Sequence, residues 1–549
     1  MNPKNNIIQK QALKAQLAIN QGKLTDANKI LDKLQTKHKN NELALRVCAA
    51  LYAKIAAWDQ SIKCTRNLLK LDKGKFEYLK ALQDLLTKNG QKTNIISDLK
   101  LFIKGNPKDA RGFMQLALVY HSEKCYKEAI EYFKKTFASK NHLNRVECHF
   151  GLALSQIESG NESEGIKNLE ACLSLDNQHQ QAKFNLATLL QAKGSNEDAA
   201  ILFDQLIDKH PSLIEALVRR IYLSKITEQS QYLLKLAQAR LKLANKFDKE
   251  KLNYALGKGY DDLQNYKSAI TNYREANQLN RLRIGKYNPD KMKYFVDKTI
   301  DTKIISQQMD IDDSISPIFI VGHFRSGSTL IEQIMSRHSN IKALGEVEFF
   351  VRLFHQNEDT YWNLLRGNDK AKMLDIKQEY ISEISGKNYS CGFFTDKRPE
   401  NLAFIGVIKH LIPNAKFIIT KRNLADNALS IYFQQLNDLS TFSTSFQHIV
   451  DYDQQTDRLI KHWKKLYKKD IHIIRYEELI SNYEQNARSL IEFVGLPWET
   501  DCLDFEKSNN YVRTASVGQV HKKLYSSSIG RIQNYLPYLE PIEKQILLK

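Results

Sequence analysis

The chain has 549 residues, and 81 Lys and Arg against 62 Asp and Glu give it a formal net charge of +19. This length exceeds what one hydrophobic core supports, so we expect at least two domains; the basic excess favours an anionic partner. The seven cysteines are scattered and form no CxxC pair, which argues against both a disulfide framework and a zinc site.

The first residues, MNPKNNIIQKQALKAQ, lack the apolar core of a signal peptide, and no later segment approaches 18 uninterrupted apolar residues. We therefore expect a cytoplasmic, soluble protein with no membrane span.

The N-terminal half contains a helical repeat. A pair of residues four positions apart, usually a small one before an apolar one, recurs at Ala27/Leu31, Ser61/Thr65, Ile95/Leu99, Ala129/Phe133, Gly165/Leu169, Ala199/Phe203 and Ala269/Tyr273. The first four pairs follow one another at intervals of 34 residues, and the wider last interval leaves room for a degenerate copy around residues 213–243. Pro107 and Pro211 stand where a repeat would close.

This period and pattern resemble the tetratricopeptide repeat. We predict an all-α tetratricopeptide-repeat solenoid over residues 7–280 and a helical linker over residues 281–315. The solenoid offers a concave surface for a peptide or a partner protein; a scaffold or a dimerisation arm is the alternative.

From residue 316 the pattern becomes that of an α/β domain, predicted over residues 316–549 with a central parallel sheet. Short apolar runs predict strands at 317–322, 390–395, 415–420 and 471–476, with helical stretches between them. Ligands of such sheets bind at the carboxyl ends of the strands.

The segment VGHFRSGSTL, residues 321–330, follows the first of these strands and precedes a helix. Gly322 and Gly327 permit a tight turn whose backbone N–H groups face an anion, as in a nucleotide-binding P-loop. A serine, Ser328, stands where such a loop has its lysine, and AKFIIT runs into Lys421 and Arg422 instead of a metal-binding aspartate. The pattern disfavours a kinase or NTPase, and we expect no metal.

PIFIVGHFRSGSTL resembles the 5′-phosphosulfate loop of sulfotransferases that use 3′-phosphoadenosine-5′-phosphosulfate (PAPS), and AKFIITKRNLADNALSIYFQ resembles their 3′-phosphate segment. The resemblance covers residues 316–540 and is strongest to the protein-tyrosine sulfotransferase family. The chain differs from that family at RSGST, where the family favours RSGTT, and at KRNLAD, where the family frequently has an RDP-like turn. The resemblance implies a P-loop-like sulfotransferase domain that binds PAPS.

The resemblance also implies site residues. Those implied to bind the cofactor are Arg325, Ser326, Gly327, Ser328, Thr329, Leu330, Arg422, Ser430, Tyr476, Ser516 and Arg531. Arg422 and Ser430 match the grip on the 3′-phosphate, Tyr476 matches an adenine-stacking tyrosine, and Ser516 and Arg531 match phosphate contacts on a carboxy-terminal loop.

The implied catalytic residues are Glu346, Lys397, Arg325, Ser328 and Thr329. Glu346 would be the base for the attacking hydroxyl, although Glu348 remains an alternative. Lys397 and Arg325 would offset developing negative charge, and the two hydroxyls would orient the sulfuryl oxygens. We interpret His323 as a neutral loop residue.

The sequence thus predicts a sulfotransferase that acts on protein tyrosine, with a polypeptide acceptor or a partner protein at the solenoid and no nucleic-acid partner. Two alternatives stay open: the acceptor is a saccharide, a lipid or a small phenol, or the chain is a non-catalytic repeat scaffold.

Overall fold

The computed structural model describes residues 3–91, 94–139, 145–304, 315–385, 392–507 and 527–548. The chain divides into two compact units, Met1–Ala182 and Lys183–Lys549. The division falls inside the predicted solenoid, so the last repeats belong to the same unit as the α/β domain.

The first unit consists of helices that pack in consecutive pairs. Its helices are α1 (Pro3–Asn20), α2 (Leu24–Lys37), α3 (Glu42–Lys54), α4 (Trp58–Leu71), α5 (Phe76–Lys88), α6 (Ile95–Gly105), α7 (Ala110–Ser122), α8 (Tyr126–Ala138), α9 (Arg145–Glu158) and α10 (Glu162–Leu175). The paired positions of the repeat lie on α2, α4, α6, α8 and α10, and Ala27, Ser61, Ile95 and Ala129 are all 0% exposed. The predicted repeats are therefore confirmed, because the sequence period and the buried face coincide.

Helices α11 (Gln180–Lys193), α12 (Asn196–Lys209), α13 (Ile214–Leu223), α14 (Tyr232–Leu241), α15 (Lys246–Asp262), α16 (Tyr266–Ile284) and α17 (Pro289–Asp301) come next along the chain. Helices α13 and α14 are the degenerate copy that the spacing left room for. Helix α17 begins with Pro289 behind the N-cap Asn288, whose side chain accepts a hydrogen bond from the N–H of Lys291.

The α/β part contains the strands β1 (Ile315–Gly322), β2 (Ile341–Ala343), β3 (Gly392–Lys397), β4 (Lys416–Lys421) and β5 (Ile471–Arg475). They form one parallel sheet in the order β2-β3-β1-β4-β5. The four predicted strands are confirmed with small shifts of their ends. Strand β2 was not predicted, because three residues are too few to show a hydrophobic period.

Helices cover both faces of this sheet. They are α18 (Ser328–Ser336), α19 (Phe349–Gln356), α20 (Glu358–Arg366), α21 (Lys370–Ser385), α22 (Ile405–Leu411), α23 (Leu424–Tyr432), α24 (Phe446–Leu466), α25 (Tyr476–Ser481), α26 (Tyr483–Val494) and α27 (Pro541–Leu547). Alternate residues of β1 enter different cores: Phe319 and Val321 pack in one, and Ile318 and Ile320 in the other. Burial on both faces explains why β1 is a continuous apolar run.

Candidate functional site

The loop between β1 and α18 approaches its neighbours so closely that glycine is required at both ends. Gly322 has φ +124°, and a Cβ there would lie 2.5 Å from the carbonyl oxygen of Thr420 on β4. Gly327 has φ +98°, and a Cβ there would lie 2.7 Å from Cδ2 of Tyr476. The loop is therefore held against the carboxyl ends of β4 and β5, where ligands of parallel sheets bind.

Arg325 lies at the tip of this loop in the left-handed region, with φ +59°. A non-glycine residue in this region costs free energy, and such residues cluster at functional sites. Its Nε donates a hydrogen bond to Oγ of Ser430 on α23 (3.3 Å), and its carbonyl oxygen accepts one from Nη1 of Arg422 (3.2 Å). Arg325 thus meets two other implied cofactor residues, Arg422 and Ser430, which lie 97 and 105 residues further along the chain.

The hydroxyls of the loop have different partners. Ser326 Oγ donates to the carbonyl of His323 (2.5 Å) and shares a hydrogen bond with Thr420 Oγ1 (2.5 Å), so its side chain faces inward. Ser328 and Thr329 form the first turn of α18, where backbone N–H groups have no partner within the helix. Leu330 packs against the core on that side of the sheet. The start of α18 can therefore receive an anion through backbone N–H groups.

Arg422 follows β4 and is largely enclosed. Its Nη2 donates to the carbonyl oxygen of Ser528 (2.6 Å), and its guanidinium carbon lies 4.9 Å from the ring centroid of Tyr476. Burial lowers the pKa of Arg422. Within the described residues its buried Nε has no hydrogen-bond partner. An enclosed arginine with an unused donor, beside a glycine loop and a helix start, fits a phosphate group.

Lys397 and Glu346 form an ion pair at the carboxyl ends of β3 and β2. Lys397 Nζ lies 2.5 Å from Glu346 Oε1, and the side chains are 1% and 43% exposed. Lys397 pairs in register with Ile320, two residues before Gly322, so the ion pair lies beside the loop. Glu348, the alternative base, is 68% exposed and lies 3.7 Å from Arg398 instead.

A second carboxylate lies behind this ion pair. Glu332 of α18 accepts hydrogen bonds from the N–H of Gly345 (3.2 Å) and from Thr395 Oγ1 (3.0 Å). Burial raises the pKa of Glu332, and the charge of Lys397 opposes that rise. No sequence pattern singled out Glu332, because its partners come from the turn after β2 and from β3. It fixes the turn after β2 that carries Glu346.

His323 is not a neutral loop residue, and that interpretation was wrong. The imidazole is 4% exposed; its Nδ1 contacts a carboxylate oxygen of Asp453, and its Nε2 lies 3.0 Å from Oδ1 of Asp457. A ring with a carboxylate at each nitrogen needs both N–H groups, and therefore the charged form. Burial alone would lower the pKa of His323, but the two carboxylates raise it.

Lys421 completes the group, since its Nζ lies 2.7 Å from Asp457. Burial would raise the pKa of Asp457, but hydrogen bonds from His323 and Lys421 lower it to about 2. The two cations and two carboxylates tie the loop to α24. This contact could not be predicted, because Asp453 and Asp457 lie on a helix more than a hundred residues away.

We expect His323→Gln to lower the free energy of unfolding by about 3 kcal/mol near pH 6, because it breaks a buried ion pair. The folded-state pKa of His323 is raised, so this stabilisation is complete below the ordinary value near 6.5 and is lost as pH rises through the raised value. Urea denaturation of both proteins from pH 5 to 9 should show the difference shrinking with increasing pH.

His410→Gln is a matched control, for which we expect the opposite dependence of stability on pH. This buried imidazole contacts the carbonyl of Leu364 at 2.9 Å, and burial lowers its pKa. The contribution of the neutral His410 ring to the free energy of unfolding is therefore lost as pH falls. A deficit in His323→Gln that does not change with pH would contradict the charged assignment.

Two of the remaining implied cofactor residues belong to the carboxy-terminal segment, and Tyr476 contacts it. Arg531 forms an ion pair with Asp261 of α15, and its guanidinium carbon lies 5.2 Å from the ring centroid of Phe433. Tyr476 OH lies 2.9 Å from Ser528 Oγ. Ser516 lies outside the described residues.

Two models of known protein families match parts of this chain. Residues 317–500 match the model of the sulfotransferase family, and residues 110–137 and 250–281 match the tetratricopeptide repeat. The chain therefore carries tetratricopeptide repeats and a sulfotransferase-family domain.

Individual relatives are distant. An uncharacterised protein of Aquifex aeolicus (strain VF5) is 28% identical over 374 residues, which cover 65% of this chain and 49% of that protein. Protein-tyrosine sulfotransferase A of Caenorhabditis elegans is 23% identical over 202 residues, which cover 35% of this chain and 52% of that protein. The chain thus spans about half the length of these curated relatives.

Among solved structures, the sulfotransferase domain from the Synechococcus PCC 7002 olefin synthase is 14% identical. The match has a TM-score of 0.33 and covers 45% of this chain and 98% of that domain. No helix in the described ranges combines the length and apolar character needed to cross a membrane.

Proposed function

We propose that this chain transfers the sulfuryl group of PAPS to a hydroxyl acceptor, and that the acceptor is a tyrosine of a polypeptide. The observation that carries the proposal is the meeting of Arg325, Arg422 and Ser430 at the start of α18, with the buried Nε of Arg422 left without a partner among the described residues. This donor set fits a phosphate and needs no metal carboxylate. The matched sulfotransferase family and the tyrosine-specific relatives support it.

In this proposal the site residues divide between the two phosphate-bearing ends of the cofactor and its adenine. Arg422 and Ser430 hold the 3′-phosphate, Tyr476 stacks on the adenine, and the N–H groups at the start of α18 face the 5′-phosphosulfate. Arg325, Ser328 and Thr329 hold the sulfuryl oxygens. PAPS, when bound, supplies the sulfuryl group.

Glu346 removes the acceptor proton in this scheme. A tyrosine hydroxyl has a pKa near 10, so a carboxylate close to it assists the attack. Lys397 is almost fully buried and holds Glu346 at 2.5 Å; its ammonium also offsets negative charge that develops on the leaving oxygen.

We also propose that the protein acts in the cytoplasm. Its repeats form the surface that binds the acceptor polypeptide or a partner protein. The helical repeats and their match to the tetratricopeptide model support this role.

Calorimetry on the purified protein tests cofactor binding. We expect adenosine 3′,5′-bisphosphate to bind without magnesium and ATP with magnesium to bind much more weakly. Equal binding of the two nucleotides, or no binding of the bisphosphate, would refute the sulfotransferase assignment.

Incubation of the protein with PAPS carrying labelled sulfate and a cell extract tests the acceptor. Label should be recovered in protein as sulfotyrosine after alkaline hydrolysis. Label in saccharides, lipids or small phenols would refute the tyrosine acceptor while retaining the transferase. Heat-denatured protein gives the background.

A further inference from the structure

The segment of residues 527–548, here called the C-terminal strap, contacts two side chains of the candidate site, Arg422 and Tyr476. The carbonyl oxygen of Ser528 accepts the hydrogen bond from Arg422 Nη2 (2.6 Å), and its hydroxyl lies 2.9 Å from Tyr476 OH. Ser528 therefore links the two side chains that are assigned to the 3′-phosphate and to the adenine.

The strap is next fixed to α23, the helix that carries Ser430. Asp426 is 4% exposed, and its two carboxylate oxygens accept hydrogen bonds from the N–H groups of Gly530 (2.6 Å) and Ile532 (2.9 Å). Because both oxygens bind backbone, this contact fixes the path of the strap.

The third contact of the strap is with the repeat array. Asp261, near the end of α15, accepts hydrogen bonds from Arg531 Nη2 through one carboxylate oxygen and from Tyr535 OH through the other. Tyr535 is 0% exposed and packs edge-to-face on Tyr266 of α16, with 5.1 Å between ring centroids. Burial alone would lower the pKa of Arg531, but the charge of Asp261 raises it.

Other contacts already hold the array to the α/β part without the strap. Tyr273 stacks on Phe433 with 3.9 Å between ring centroids, and Asn277 Nδ2 donates to the carbonyl oxygen of Tyr432 (2.8 Å). Just after α16, Tyr287 OH in the linker donates to Asp451 (2.8 Å). Asp261 is therefore not needed to dock the array, and the two donors that it binds both belong to the strap.

From this geometry we propose that Asp261 is a positioning residue for the nucleotide site. It holds Arg531 and Tyr535, and through the strap it sets the place of Ser528 against Arg422 and Tyr476. The inference rests on the proposed function, because it concerns the affinity of the same site for its nucleotide. It makes the last repeats part of the nucleotide-binding apparatus and gives them a role beyond a polypeptide surface.

Asp261→Asn tests the inference in the full chain, with adenosine 3′,5′-bisphosphate as the probe. We expect the dissociation constant to rise about tenfold, the usual effect of one lost charge-assisted hydrogen bond. Tyr535→Phe, which keeps the carboxylate and removes one donor, should give a smaller rise. Tyr287→Phe is the matched control: it also removes one tyrosine hydrogen bond to an aspartate, but away from the strap, and should change the constant less than twofold.

Amide hydrogen exchange without nucleotide gives a readout that does not depend on the ligand. In Asp261→Asn the amides of residues 530–535 should exchange faster, while those of β1 should not change. Faster exchange with an unchanged dissociation constant would overturn the positioning role, as would equal weakening of binding in Tyr287→Phe. If the unaltered protein fails to bind the bisphosphate, the proposed function fails as well; failure of the variants alone to change binding overturns only this inference.

Discussion

Arg422→Ala should weaken the binding of adenosine 3′,5′-bisphosphate by about 100-fold or more, because it removes a charged donor of two or more hydrogen bonds to phosphate. In the structure this arginine already bonds the carbonyl oxygens of Arg325 and Ser528, and its buried Nε has no partner among the described residues. Calorimetry of the purified variant, with folding checked by circular dichroism, measures the effect.

Arg475→Ala is the control for this variant. Arg475 ends β5 in register with Lys421, one residue before Arg422, but it is exposed. Its replacement removes the same charge from the same edge of the sheet, so it should change the dissociation constant by less than threefold, the scale of a screened surface charge. Comparable losses in the two variants would show that Arg422 acts through general charge and does not bind the phosphate directly.

Glu346→Gln should lower the rate of sulfate transfer by about 10²- to 10⁴-fold, the range for removal of a general base. The amide retains an oxygen that can accept the hydrogen bond from Lys397, so the buried ammonium keeps a partner. Nucleotide binding should change little, since the hydrogen bond that Glu346 accepts among the described residues comes from Lys397, and the amide can keep it. Transfer of labelled sulfate and calorimetry together separate the two effects.

Glu348→Gln is the matched control, and it also tests the alternative base. Glu348 is two residues further on, is 68% exposed and lies 3.7 Å from Arg398. We expect transfer in this variant to stay within about twofold of the unaltered protein, as for a screened surface charge. Full activity in Glu346→Gln with loss in Glu348→Gln would move the base to Glu348.

Local patterns in the sequence predicted much of the fold. The small-to-apolar pairs of the repeats lie four positions apart on one helix face, so burial of Ala27 or Ala129 follows from helix geometry. The continuous apolar run of β1 predicted a strand buried on both faces. The boundary between Ala182 and Lys183 could not be predicted, because it depends on contacts that α15 and α16 make with segments distant in the sequence, such as those of Asp261 with Arg531 and of Asn277 with Tyr432.

The candidate site was predictable where a residue belongs to a motif next to a strand end. Arg325 and Arg422 follow β1 and β4, Lys397 ends β3, and the parallel sheet brings those ends to one edge. The supporting contacts were not predictable. The charged state of His323 depends on two carboxylates of α24, and the partner of Arg531 lies on a repeat helix.

The division of the chain at residue 182 also constrains how this architecture can vary. Repeats before Lys183 form a compact unit of their own, so copies can be gained or lost within that unit. Helices α15 and α16 lack this freedom: Tyr273 stacks on Phe433, and Asp261 binds the strap. We therefore expect the array to vary in length among related chains only on its N-terminal side. Helices α15 and α16 should keep the same position relative to the loop between β1 and α18.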